Sequence, residues 1–307
     1  MSSDAVFDRP TVRLRPKARP QALRHGVPWV YADELVTDRR TKAILPGTLA
    51  RLEDAERRPL GLVAVNPGSK IIARMLDRDP EAVVDRAWLA ARVARALDLR
   101  ERLFDRPFYR LIHAEADGMP GVIVDRFGDV LAMQPNAAWS ELVLSDLAEA
   151  LSEVSGARTV LKNASGRARS LEGLDDVSAV LLGEAPEAPV PVPMNGATYM
   201  ADLTGGQKTG LFFDQRPNHA VAAGLAQGQR VLDVFSHVGG FALAALAAGA
   251  TAALAVDGSA PALALAEAGA KATGVAVRFD TRMGDAFDVL TALPTEGESF
   301  GLFICDP

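Results

Sequence analysis

Hydrophobic and polar positions alternate in short runs through the first quarter of the chain. TVRLRP, TLARLED, LGLVAVNP and IIARMLD each follow the two-residue period of a strand. All four are bounded by Pro, Gly, Asn or Asp, which predicts a small β-rich module. The period lengthens at AWLAARVARALDLRERLF, where Leu89, Val93, Ala96, Leu97 and Leu103 fall on roughly one helical face. LIHAEADGMPGVIVDRFGDVLAMQ returns to strands: two β-runs joined through Arg126–Asp129, after a turn at Asp117–Gly121. ELVLSDLAEALSEV then predicts an amphipathic helix and ARTVLKN a further strand. Four prolines between Pro186 and Pro193 remove backbone donors and stiffen the chain, predicting a linker or a domain edge.

From Ala197 onward strand and helix alternate. RVLDVFS, AALAVD, VRFDTRMGD and FGLFICDP read as strands, separated by the helical runs GFALAALAAG, SAPALALAEAGAKATG and AFDVLTAL. This is the order of a parallel, doubly wound α/β sheet. Each strand ends at an aspartate: Asp233, Asp257, Asp285 and Asp306. The first turn, DVFSHVGGF, sets Gly239 and Gly240 side by side at the start of a helix, where backbone N–H groups are open to a ligand. It has neither the G-x-G-x-x-G spacing of a dinucleotide site nor the Lys-Ser/Thr of a phosphate loop, so a nucleoside with a small charged side chain fits it better. Asp257, 24 residues beyond Asp233, is placed to accept ribose hydroxyls, and Asp285 to meet an adenine amino group. Any one of these acids serves equally well as the cap of the helix behind it; four in this order favour a ligand site.

Composition narrows the reading further. The chain has 307 residues, 49% of them hydrophobic, which allows two or three domains. Its one cysteine, Cys305, rules out an internal disulfide and fits a reducing cytoplasm. Four scattered histidines give no metal-ligand spacing, so no metal is expected, and no apolar run is long enough for a membrane span. The net charge is −6, but residues 1–110 carry 22 Lys/Arg against 15 Asp/Glu, so a polyanion would be gripped by the front of the chain. RPTVRLRPKARPQALRHG is the segment best suited to track phosphates, with His25 a candidate contact and Trp29 a core residue.

The motifs HGVPWVY, VNPGSKIIAR, HAEADGMPGVIVDRFGD, GQKTGLFFDQR and DVFSHVGGFALAALAAGA run along nearly the whole chain. Together they resemble the class I S-adenosylmethionine-dependent methyltransferases, and most closely the large-subunit ribosomal RNA (cytosine-C5) methyltransferases. The resemblance implies a Rossmann-like methyltransferase domain over 190–307, preceded by a PUA-like RNA-binding domain over 8–80 and a small α+β middle domain over 81–189. It implies S-adenosylmethionine as cofactor and ribosomal RNA as partner, in the cytoplasm, without membrane or metal. The oligomeric state stays open, a homodimer among the options.

By the same resemblance Gly239 and Gly240 pass close to the methionine part of the cofactor, Asp257 holds the ribose and Asp285 the adenine. Asp233 ends the strand beneath the loop and joins the cofactor set. Phe213, Asp214, Gln215 and Arg216 pack over the other side, with Arg216 pairing the methionine carboxylate and Lys208 and Thr209 leading in. One of Phe212 and Phe213 is expected to be ordinary core. Asp306–Pro307 begins the Asp-Pro-Pro motif that lines the pyrimidine pocket, making Asp306 the candidate catalytic residue. In the resembled family a cysteine thiolate adds to carbon 6 of the pyrimidine so that carbon 5 attacks the methyl group. That cysteine stands in a later motif, and Cys305 is expected to be a buried core residue. The expectation is therefore an N-terminal portion of a longer enzyme, inactive alone, with only four of seven strands and an exposed sheet edge. The alternatives are a methyltransferase with another target and an RNA-binding protein whose methyltransferase half is scaffold.

Overall fold

The computed structural model describes residues 9–205 and 210–307, in two compact units, Met1–Glu184 and Ala185–Pro307. The first unit opens with β1 (Thr11–Arg13), α1 (Pro20–Arg24), β2 (Trp29–Tyr31), α2 (Arg39–Lys42), β3 (Thr48–Glu53), β4 (Pro59–Val65) and β5 (Ile71–Asp77). The strands form one sheet in the order β1-β3-β4-β5-β2. Alternation decides its two faces. Val63, Val65 and Ala73 turn into a core with Val12, Leu35 and Leu52, while Leu62, Ala64 and Leu76 turn the other way.

That second face is covered by the remainder of the unit. There follow α3 (Arg86–Leu103), β6 (Phe108–His113), β7 (Val122–Phe127), β8 (Val130–Pro135), α4 (Ala138–Leu142), α5 (Leu144–Ser155), β9 (Thr159–Lys162), α6 (Arg167–Glu172) and β10 (Ala179–Leu182). The second sheet runs β10-β9-β8-β7-β6. Leu89, Val93 and Ala96 of α3 join Leu147 and Leu151 of α5 and Leu62 and Leu76 of the first sheet in one core. The two sheets of this unit therefore share buried apolar surface, the main driving force for holding them together. Asp85 caps α3 by accepting from Trp88 N, and Arg100 and Arg102 in its last turn suit the helix dipole.

The second unit begins with an antiparallel hairpin, β11 (Val190–Met194) and β12 (Ala197–Ala201). Pro191 and Pro193 of the proline-rich stretch lie in β11, shortly after the boundary between the two units at Glu184 and Ala185. Pro191 and Pro193 are tolerated because, among the described residues, β11 pairs on one side only, so a missing N–H on the open side breaks no ladder bond. Then come α7 (Arg216–Leu225), β13 (Arg230–Val234), α8 (Gly240–Ala247), β14 (Ala252–Asp257), α9 (Ala260–Thr273), β15 (Phe279–Met283), α10 (Ala286–Thr295) and β16 (Leu302–Cys305). The four sheet strands are parallel, in the order β15-β14-β13-β16. The strand order reverses between β13 and β16, the switch point at which such sheets open a crevice at their carboxyl ends. Val231, Leu232 and Val234 are buried in the sheet interior.

One expectation fails at the sheet edge. Cys305 is exposed, not buried, because β16 pairs only with β13 among the described residues and Phe303 beside it is 54% exposed. Burial requires an element on each side of a strand, and sequence hydropathy alone does not report which side is covered.

Candidate functional site

The crevice holds a cavity of about 510 Å³, within the range of small-molecule sites. It is built around the loop from β13 to α8. Phe235 (φ 62°), His237 (φ 49°) and Gly239 (φ 77°) all adopt left-handed backbone, two of them without the freedom of glycine. Strain of this kind persists only where neighbours enforce it. Here Ser236 N donates to Val256 O at 3.0 Å and Gly239 N to Ser236 O at 2.8 Å. His237 N donates to Asp257 Oδ2 at 2.8 Å.

Asp257 joins two elements. Its other oxygen, Oδ1, accepts from Ser259 N at 2.8 Å, at the cap of α9. Beneath the loop, Asp233 is only 1% exposed. Its Oδ2 accepts from Ala242 N at 2.9 Å, while Oδ1 has no partner. Burial pushes this carboxyl up to about 7 against the Ala242 bond, and the charges of Asp257 and Asp306 push the same way. Ser236 Oγ, on the cavity wall, is also buried without a partner.

The opposite wall comes from α7 and the segment before it. His219 stacks on Tyr199, with centroids 6.2 Å apart, and meets Phe241 edge-on at 4.5 Å. Burial depresses its imidazole to about 4, with Asp214 opposing, and Nδ1 has no partner. The neutral ring occupies the space a side chain at position 240 would need. A Cβ on Gly240 would stand 2.6 Å from His219 Nε2. Tyr199 completes the contact by donating its hydroxyl to Gly240 O at 3.1 Å.

Of the residues singled out from sequence, Gln215, Gly240, Asp257 and Asp306 line the cavity, as does Asp214. Gly239 and Asp233 lie in and under the loop that forms its floor. Arg216 opens α7, its carbonyl accepting from Asn195 Nδ2 at 2.8 Å. The aromatic on the cavity is Phe212, set against His237 at 5.2 Å, whereas Phe213 is 5% exposed and packs in the core. Asp285 does not line the cavity: its Oδ1 caps α10 through Phe287 N and Asp288 N. Lys208 and Thr209 lie outside the described residues. Phe235, His237, His219, Phe241 and Ser259 were not anticipated as wall residues. His219 has the one readable signal, since it sits four residues after Gln215 and thus on the same helical face.

No cluster of His, Cys, Asp and Glu suited to a metal occurs among the described residues, and no described helix is long and apolar enough to cross a membrane. Residues 12–78 match the PUA-like domain family, and residues 146–278 the S-adenosylmethionine-dependent methyltransferase family. The ribosomal RNA large subunit methyltransferase I of Erwinia tasmaniensis is 33% identical over 302 residues, covering 97% of this chain and 76% of that protein. Its namesake from Yersinia pestis is 32% identical with the same coverage.

The chain belongs to the ribosomal RNA large subunit methyltransferase I family.

As a member of that family it is an S-adenosylmethionine-dependent methyltransferase, built as a PUA-like domain followed by a Rossmann-like class I methyltransferase fold. The fold itself is shared with a Streptococcus mutans protein named as a SAM-dependent methyltransferase, at TM-score 0.82 and 21% identity, covering 97% of this chain and 77% of that one. A second solved methyltransferase, complexed with S-adenosylhomocysteine, matches at TM-score 0.81 and 20% identity, over 97% of this chain and 76% of its own.

Proposed function

We propose that the cavity beside β13 holds S-adenosylmethionine and that the protein methylates carbon 5 of a cytosine in large-subunit ribosomal RNA. The observation that carries the cofactor assignment is the unpartnered Asp233 Oδ1, with Ser236 Oγ equally unpartnered on the wall above it. A buried carboxylate oxygen without a donor costs about 1–3 kcal/mol. A ligand bearing an ammonium and a sulfonium offsets that cost on binding. The bound cofactor supplies an electrophilic methyl group.

The chain's own residues divide the remaining work. Asp257 stands ready at the end of β14 to receive ribose hydroxyls, already oriented by the N–H groups of His237 and Ser259. Gly240 and the desolvated His219 keep the wall flat and uncharged, which excludes water from the reacting end. Phe212 offers a ring face and Gln215 an amide on the other side, and Arg216 is the candidate for the methionine carboxylate. Asp285 remains the candidate for adenine, with Oδ1 engaged at the helix cap. Asp306, exposed at the cavity mouth after β16, is positioned to meet the ring nitrogen edge of an incoming pyrimidine. The ribosomal substrate follows from the relatives' names, and the carbon-5 target from the motif resemblance. The proposed domain limits are 8–80, 81–189 and 190–307, and the setting is the cytoplasm.

The test is calorimetric binding of S-adenosylhomocysteine, then methyl transfer from labelled cofactor to large-subunit ribosomal RNA with nucleoside mass spectrometry. Label in 5-methylcytidine supports the carbon-5 assignment and overturns the expectation that these 307 residues are inactive alone. Label in another nucleoside overturns the carbon-5 assignment, and failure to bind S-adenosylhomocysteine overturns the site.

A further inference from the structure

The motif HAEADGMPG contributes nothing to the cavity, yet both its acids are committed. Asp117 takes Arg100 in two bonds, at 3.1 and 2.6 Å, and also accepts from His113 N at 2.6 Å. Glu115 Oε1 accepts from Trp29 Nε1 at 2.8 Å and from Arg74 Nη1 at 3.3 Å, both on the N-terminal sheet. Arg74 reaches onward to Glu172 of α6 at 2.9 Å. The loop is a clasp between the PUA-like module and the α+β module, and it fixes the surface they share.

On that surface the arginines are unevenly neutralised. Ala114 (φ 46°) and Gly118 (φ 70°) fold the clasp back so that Gly118 lies under two guanidinium groups. A Cβ there would stand 3.4 Å from Arg95 Nη2 and 3.5 Å from Arg92 Nη1. Arg92 is fixed: its Nη2 donates to Asp77 Oδ2 at 2.8 Å and Leu76 O at 2.9 Å, and its guanidinium lies 3.9 Å over the Trp88 ring. The next residue after Asp77 is Arg78, exposed in the bend that follows β5, with Nη2 4.0 Å from the Cβ position of Gly26. Its neighbour Asp77 is the carboxylate that Arg92 of α3 takes, so Arg78 stands beside that contact in the chain.

Arg78 and Arg95 have no carboxylate partner among the described residues; Arg95 reaches only Asp117 O, at 3.5 Å. Arg86 and Arg102, also on α3, are by contrast paired with Glu149, Glu153 and Asp98. Arg92 and Arg95 thus meet over Gly118, and Arg78 follows directly on Asp77, the carboxylate that holds Arg92. Burial lowers the Arg92 guanidinium from its ordinary value, Asp77 opposes this, and Arg95 adds to it. The exposed guanidinium of Arg95 beside Gly118, and that of Arg78 beside Gly26, each leave room for phosphate oxygens to make bidentate contacts.

The geometry points to a phosphate track across this junction, in which Arg78 of the PUA-like module and Arg95 of α3 grip the backbone of the bound RNA. This rests on the ribosomal RNA reading above and adds where the strand runs: over both modules, not over the N-terminal segment around Lys17 and Arg19 alone. The clasp through Glu115 makes the two arginines one site by holding the modules in register.

The experiment measures binding of a fluorescein-labelled large-subunit ribosomal RNA fragment to the full chain by anisotropy, from about 50 to 300 mM NaCl. The variants are Arg78→Ala, Arg95→Ala, the pair, and Lys17→Ala with Arg19→Ala. Each of the first two lowers the log–log salt slope by about 0.7, and the pair weakens binding roughly tenfold at physiological salt. Calorimetric binding of S-adenosylhomocysteine stays at the wild-type value in all of them, which verifies the fold. A pair variant that binds RNA as wild type does, with an unchanged slope, overturns the track while leaving the RNA reading intact. Wild-type protein that binds S-adenosylhomocysteine but not the RNA overturns both.

Discussion

Replacing Asp233 with asparagine is expected to stabilise the free protein as pH rises and to weaken its hold on the cofactor. The carboxyl is pushed from 3.8 up to about 7 by burial, despite the Ala242 bond, with Asp257 and Asp306 adding to the push. Between those values the folded chain keeps a proton that the unfolded chain has released. Stability therefore falls as pH rises through that window and levels off above the folded value. At about 1.4 kcal/mol per pH unit the full effect is about 4 kcal/mol. The amide introduced by Asp233→Asn keeps an oxygen for Ala242 N and carries no charge, so the substitution removes the penalty. Urea unfolding at a series of pH values reads this directly. The stability difference between variant and wild type is expected near zero at about pH 4 and near 4 kcal/mol at about pH 8. A difference that stays constant with pH refutes the reasoning, as does a wild type more stable than the variant at alkaline pH. Wild-type affinity for S-adenosylmethionine is expected to rise with pH over the same window, and the variant's to stay low and flat.

Gly240→Ala forces a methyl group to 2.6 Å from His219 Nε2, and the ring is hemmed in by Tyr199 and Phe241. About 1–3 kcal/mol of overpacking is expected, seen as a lower thermal midpoint, together with at least a tenfold loss of S-adenosylhomocysteine affinity by calorimetry. Glu172→Ala strips the acceptor from Asn66 Nδ2, Ser69 Oγ and Arg74 Nη2, all drawn to one buried carboxylate. Urea unfolding is expected to show a loss of about 1–3 kcal/mol, the range for buried donors left unsatisfied, because Arg74 keeps Glu115 as a partner. A loss below about 1 kcal/mol would show that water replaces the carboxylate.

Much of the fold was legible because it follows from period. The four N-terminal runs became β1, β3, β4 and β5, and RVLDVFS and GFALAALAAG became β13 and α8. What was not legible depends on neighbours rather than on the residue itself. Pro191 and Pro193 read as a linker or a domain edge, and only the one-sided pairing of β11 shows how a strand accommodates them. Phe212 and Phe213 have the same side chain, and only the short 3-10 turn at Phe213–Gln215 decides which ring faces the cavity. Asp285 and Asp257 each follow a strand, yet one caps a helix and the other lines the site. Phe235 and His237 carry no sequence mark of left-handed backbone, since bulky residues seldom adopt it. Cys305 looked buried because strand hydropathy is silent about which faces are covered.

Several departures from good local chemistry in the second unit gather around the β13–α8 loop. Left-handed Phe235 and His237, the unpartnered Ser236 Oγ and the desolvated His219 all border the same cavity, with the unpartnered Asp233 Oδ1 buried beneath its floor. Each costs on the order of 1–3 kcal/mol, so together they amount to something comparable with a small domain's net stability. The fold tolerates them because β13, from which the loop springs, is buried by strands on both sides. A sequence selected for stability alone would place asparagine at position 233 and glycine at positions 235 and 237. Retaining the strained forms makes sense only if something is gained when the cavity fills. That gain would be a cation set against Asp233, a hydroxyl pair on Asp257, and a flat neutral wall where the methyl group is passed on.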